Sequence, residues 1–239
     1  MAIVFILQTP NLEIHQEYID TITVQNLPES IEWGCICIFL AALVDFLDGF
    51  VARLLKASSA MGAQLDSLSD VVSFGVAPAL ILWQLLRVAL INNKEAINYP
   101  QAWLWPSLLI AACGAWRLAR FNISTTQSTS FIGLPIPAAG MLIATLPMAV
   151  YYNSFNLQNI VLNPWFLYGV IAIVGWLMVS NLRLMAMKFS NFSLKKYMHI
   201  VILLAISLIS IVVLRWYAGI VILLAYVALS IIYKNKINQ

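Results

Sequence analysis

The chain has 239 residues, of which 62% are hydrophobic and only 10% charged, and its formal net charge is +3. Soluble domains carry about 25% charged residues, so this chain cannot clothe a water-facing surface. An integral membrane protein is expected, with no second, soluble domain and no nucleic-acid partner.

Residues 1–8 (MAIVFILQ) are apolar but far short of the ~20 residues that cross a bilayer. They lack the basic flank and cleavage site of a signal peptide. They read as the last third of a spanning helix, either because Met1 is an internal methionine or because the helix is shortened. Residues 9–32 form a polar, acidic connection too short to bury a core of its own. Seven apolar runs follow, over 31–55, 62–90, 103–121, 135–152, 165–180, 197–214 and 217–233. Pro135 and Pro137 sit at the start of the fourth, where proline is tolerated. The expected fold is all-α: a polytopic membrane protein of about seven full transmembrane helices plus a short N-terminal hydrophobic stub, forming one membrane-embedded domain over 1–239. Cys35, Cys37 and Cys113 read as small buried hydrophobes, and His15 and His199 have no ligand spacing. Trp103, Trp105, Trp165 and Trp216 read as membrane-belt residues.

Basic residues set the orientation. If the turn after the first full span is cytoplasmic and the spans alternate, that side collects ten Lys and Arg residues and the other side three: Arg87, Lys94 and Arg215. The expected location is the cell (inner) membrane, with the site described next at the cytoplasmic face. The sequon Asn122-Ile123-Ser124 then falls on the cytoplasmic side and is discounted.

Only ten residues are acidic, and four of them lie in 45–70: Asp45, Asp48, Asp66 and Asp70. From residue 96 onward there is no Asp or Glu. Spacings of three and four place each pair on one helix face. An ionisable residue inside a span is disfavoured by roughly 2.5–3.5 kcal/mol on insertion scales, and Arg53 and Lys56 are too few to neutralise four. Hard divalent cations suit carboxylate oxygens, and four carboxylates can form a two-metal cage for phosphoryl displacement. Gly49 and Ala52 share the face of Asp45, and Gly62 lies one turn before Asp66. Small residues there leave room for a substrate, or for close helix packing. A structural polar cluster, or a cation or proton path through a transporter, is the alternative reading of the four aspartates.

The whole pattern is Asp45-x₂-Asp48-Gly49-x₂-Ala52-Arg53-x₈-Gly62-x₃-Asp66-x₃-Asp70. At every defined position it resembles the signature of the CDP-alcohol phosphotransferase family. That resemblance implies displacement of CMP from a CDP-linked lipid or alcohol by a second alcohol, with two Mg²⁺ or Mn²⁺ ions bridging the pyrophosphate. It implies Asp45, Asp48, Asp66 and Asp70 as metal ligands, with Asp66 and Asp70 catalytic and Asp70 the general base. It implies Asp48, Gly49, Ala52, Arg53 and Gly62 at the nucleotide. A homodimer also follows from the resemblance alone.

The signature does not select the acceptor. The stretches VVSFGVAPAL after Asp70, CGAWRLARFN, FIGLPIPAAG and MVSNLRL resemble the bacterial and archaeal phosphatidylserine synthases of that family, most clearly over 36–190. This implies CDP-diacylglycerol and L-serine as substrates, among membrane lipids. The candidate acceptor site is 113–137. Arg117 and Arg120, three apart at the end of the third span, suit a carboxylate or lipid phosphate. Asn122 adjoins them, and Arg183 and Lys188 are further candidates for lipid phosphate. Other acceptors, such as glycerol phosphate or an inositol phosphate, would call for more clustered basic residues.

Overall fold

The computed structural model describes residues 1–8, 15–16, 22–23, 27, 29–55, 59–91, 100–123, 131–152, 158–184 and 198–232. Lys56 and Lys188, and the side chains of Arg53 and Arg183, lie outside the described residues. The described chain is helical apart from two short antiparallel pairings, His15–Gln16 with Ile22–Thr23 and Phe131–Ile132 with Arg183–Leu184.

Helix α1 is Ala2–Leu7 and α2 is Glu29–Leu54. Glu29 and Glu32 in the first turn of α2 complement the positive end of its dipole. Helix α3, Ala60–Asp70, passes through a π-helical turn, Val71–Val76, into α4, Ala77–Ile91. The Ala77 amide reaches back five residues to the Val72 carbonyl, the wider bonding pattern of that turn. The three pieces form one 31-residue helix from Met61 to Ile91. This helix is the pillar of the fold: 72% of its most apolar part is buried, against 11% for α2. Ile81, Leu82, Leu85 and Leu86 in α4 are fully buried.

The expected third span is built of two helix types. A 3₁₀ segment, Gln101–Leu108, contains Pro106, whose missing N–H suits it to a segment outside regular α-helix, and α5, Leu109–Ile123, follows. Helix α6 is Ile136–Tyr152, α7 is Gln158–Val161 and α8 is Pro164–Val179. The side chain of Asn163 caps α8 by accepting from the Trp165 amide at 2.9 Å. Helices α9, Met198–Leu214, and α10, Ala218–Ile232, are joined by a 3₁₀ turn, Arg215–Tyr217. Three described stretches are long and apolar enough to cross a membrane: Glu29–Ala52, Met61–Ile91 and Ala205–Ile222. The last runs across the α9–α10 turn, so it is not by itself one of the expected spans.

Small residues bring the helices close. A Cβ on Gly140 of α6 would lie 3.1 Å from the Phe74 backbone in the π-helical turn. Gly133 has φ of 74°, which L side chains rarely adopt, and a Cβ there would strike the Met178 carbonyl. The N-terminal stub docks rather than dangles: Ile6 is fully buried against Gly34, and its carbonyl accepts from buried Gln84 at 3.3 Å.

Gly140→Leu is expected to lower stability by about 1–3 kcal/mol, because the backbone of Phe74 cannot yield to the added atoms. Gly169→Leu, where a Cβ meets nothing within 4 Å, is expected to leave stability unchanged. Thermal unfolding in detergent checks both; equal midpoints for the two variants would contradict this packing.

Candidate active site

Two helices deliver the carboxylates. Asp45 and Asp48 lie three apart on α2, and Asp66 and Asp70 four apart on α3. Helix α3 starts where Ser59 stops the chain: its Oγ accepts from the Gly62 amide at 3.0 Å. A Cβ on Gly62 would come within 3.0 Å of that hydroxyl, so glycine here also clears the cap.

One carboxylate oxygen from each of Asp45, Asp48 and Asp66 lies within 4.8 Å of the other two. Opposite ligands of a single Mg²⁺ or Ca²⁺ are about 4–5 Å apart, so these three oxygens span the width of one ion's coordination sphere. Asp70 lies beside them, its carboxyl group within interaction range of those of Asp45 and Asp66. All four aspartates therefore form one cluster. Asp45 and Asp70 are half-buried, and Asp48 and Asp66 exposed. The donor set is all hard oxygen and fits divalent ions of the Mg²⁺ or Mn²⁺ type.

Beside the cluster lies an open cleft of about 600 Å³ lined by Asp48, Gly49, Ala52, Gly62, Asp66 and Ser69 among others. That volume is in the range of small-ligand sites. A Cβ on Gly49 would meet nothing within 4 Å, so the helix face there is backbone and space. The residues expected at the nucleotide thus converge on one cleft with two of the carboxylates, Arg53 excepted because its side chain is not described.

The acceptor candidates on α5 meet different partners. Arg117 is buried, at 7% exposure, and lies within electrostatic range of Asp70. Its Nε has no hydrogen-bond partner among the described residues. Arg120 donates instead to the Asn181 Oδ1 and, at 3.4 Å, to the Val179 carbonyl. Asn122 donates to the Ser67 Oγ at 3.1 Å, one residue from Asp66. The pairing of Phe131–Ile132 with Arg183–Leu184 continues through two backbone bonds, Gly133 N–H to Leu182 and Leu134 N–H to Leu177, both 2.9 Å. Three stretches far apart in sequence, around 117–122, 131–137 and 178–184, are therefore knitted together at the edge of the aspartate cluster. Sequence reasoning did not single out Ser67 or Asn181; no spacing rule marks a hydroxyl or amide whose partner lies 55 or 61 residues away.

The model of the CDP-alcohol phosphatidyltransferase family matches residues 18–176. A Helicobacter pylori (strain J99) protein named CDP-diacylglycerol–serine O-phosphatidyltransferase is 37% identical over 178 residues, covering 72% of this chain and 69% of that protein. One of the same name from Methanocaldococcus jannaschii is 38% identical over 146 residues, covering 61% of this chain and 60% of the relative. An archaetidylserine synthase from Methanothermobacter thermautotrophicus is 35% identical, covering 55% and 53%.

Removing the Asn122 amide is expected to loosen α5 from α3. Asn122→Ala and Ser67→Ala should each lower stability by about 0.5–1.5 kcal/mol, and the double variant by no more than the larger single loss, since one bond is removed twice. Additive losses in thermal unfolding would show that the two side chains act separately.

Proposed function

Because the chain belongs to the CDP-alcohol phosphatidyltransferase family, we propose that it transfers the phosphatidyl group of CDP-diacylglycerol to the hydroxyl of L-serine, giving phosphatidylserine and CMP. The observation that carries this reading is the four-aspartate cluster opening onto a glycine-floored cleft. Serine is the acceptor common to the names of the similar phosphatidyl and archaetidyl enzymes.

The roles proposed for the residues are consistent with their positions. Asp45, Asp48 and Asp66 would hold a divalent ion, and Asp70 a second with them; the ions supply charge neutralisation at the pyrophosphate. Asp48, Gly49, Ala52, Arg53 and Gly62 receive the cytidine diphosphate, the glycines allowing backbone approach. Asp70 accepts the serine proton as the hydroxyl oxygen attacks the lipid-bearing phosphorus and the bond to CMP breaks. Arg117, next to Asp70, orients the acceptor anion, and Arg120 and Asn122 brace that edge. Arg183 is assigned to lipid phosphate. The chain acts as one catalytic membrane domain over 1–239, with seven spans: α2; the α3–α4 pillar; the 3₁₀ segment with α5; α6; α8; α9; and α10. It resides in the cell membrane, with the site toward the cytoplasm where ten of thirteen basic residues gather, and works as a homodimer.

The test incubates purified protein with CDP-diacylglycerol, Mn²⁺ and a panel of labelled alcohols. Labelled phosphatidylserine is expected; conversion of glycerol phosphate and not serine would overturn the acceptor. Asp70→Asn is expected to reduce kcat by about 10²–10⁴-fold, the range of a general base, while CDP-diacylglycerol still binds. Full turnover by that variant removes Asp70 from the role. Chelation should abolish activity and Mn²⁺ restore it. Asp48→Asn should weaken Mn²⁺ binding, measured by calorimetry, by about tenfold or more.

A further inference from the structure

We propose that Ser67 is a positioning residue for the metal ligand beside it: its bond to Asn122 anchors helix α3 to α5 and sets where Asp66 stands against Asp45 and Asp48. This rests on the divalent-ion assignment made above. The burial pattern shows why such an anchor is needed. From Met61 to Asp70 no residue is buried, whereas Phe74 and Gly75 in the π-helical turn and most of α4 are. Apolar packing therefore holds α4 firmly and α3 weakly, so the placement of α3 depends on directional bonds. Yet three carboxylate oxygens, two from α2 and one from α3, stand within 4.8 Å of one another, and their repulsion pushes the two helices apart.

The Ser67 hydroxyl supplies such a bond with both of its capacities in use. It donates to the Ala63 carbonyl one turn back at 3.1 Å, and it accepts from the Asn122 Nδ2 at 3.1 Å. Donation to the Asn122 Oδ1 would be longer, at 3.4 Å, and a hydroxyl has one hydrogen to give. Ser67 is thus tied to its own helix and gripped by the next. Asn122 itself stands on braced ground. Two residues before it, Arg120 donates to the Val179 carbonyl at the end of α8 and to the Asn181 Oδ1 just beyond. Helix α5 also packs closely on α8, where a Cβ on Gly175 would lie 3.4 Å from the Cys113 Sγ and one on Gly114 3.3 Å from the Met178 Cε. The brace therefore runs from the packed α8 through α5 and Asn122 to Ser67, and ends one residue from Asp66.

The test uses the full chain in lipid–detergent micelles with Mn²⁺ alone as the probe, titrated by calorimetry at a temperature where every variant is folded. Ser67→Ala is expected to weaken Mn²⁺ binding by about three- to tenfold, the scale of one hydrogen bond. Asn122→Ala should weaken it by the same factor, and the double variant by no more than either. Ser67→Thr, which keeps the hydroxyl, should bind as the wild type does. In turnover with CDP-diacylglycerol and whichever acceptor the wild type converts, Ser67→Ala should raise the Mn²⁺ needed for half-maximal rate by that same factor, with kcat at saturating Mn²⁺ little changed. Multiplied losses in the double variant, a threonine variant as weak as the alanine one, or a fall in kcat with no change in the Mn²⁺ requirement would each overturn the inference. Wild-type protein that binds no Mn²⁺ overturns the ion assignment and this inference with it. Wild-type binding matched by Ser67→Ala overturns this inference alone and leaves the proposed transfer standing.

Discussion

Like charges at close range govern this molecule. Three carboxylate oxygens within 4.8 Å of one another, with a fourth carboxyl beside them, repel at this range. Among the described residues there is no other carboxylate cluster of this kind, and one arginine, Arg117, is buried within electrostatic range of it. Everything near the site follows: two helices long enough to present the aspartates, glycines that let a polyanion and its cations approach, and a rigid pillar that does not spread under the repulsion. The π-helical turn after Asp70 marks where the exposed, charge-bearing part of the pillar gives way to the fully packed part. Such turns recur at functional sites.

Much of this was legible in the residues. The i, i+3 and i, i+4 spacings of the aspartates are helix periodicity acting on a rare residue type, and apolar runs bounded the helices to within a few residues. The pillar over Met61–Ile91 departs from the expected 62–90 run by one residue at each end. Other features left no trace. VVSFGV reads as any apolar run, and nothing local announces a π-helical turn or the close approach of Gly140 to the Phe74 backbone within it. Pro106 signals a departure from regular helix, yet its flanks read as one span.

The acceptor edge shows the same division. The stretches around Arg117, Gly133 and Arg183 stood out as motifs, but which atoms meet was hidden in long-range contacts. Arg117 and Arg120 looked equivalent on a helix wheel. In the fold one is buried against Asp70, and the other is spent on the end of α8. Burial, which depends on how neighbouring helices pack, separates them.

The knitting of that edge has a consequence for protein engineering. Because Arg120 grips Asn181, Asn122 grips Ser67, and Gly133 and Leu134 are bonded to Leu182 and Leu177, these four segments form a single bonded unit. A chimera that imports one of them alone from a relative of different alcohol preference breaks the bonds that it makes to its neighbours. Retargeting this enzyme calls for moving the stretches around 117–122, 131–137 and 177–184 together, with the aspartate helices, Ser67 included, left in place as the chassis that receives them.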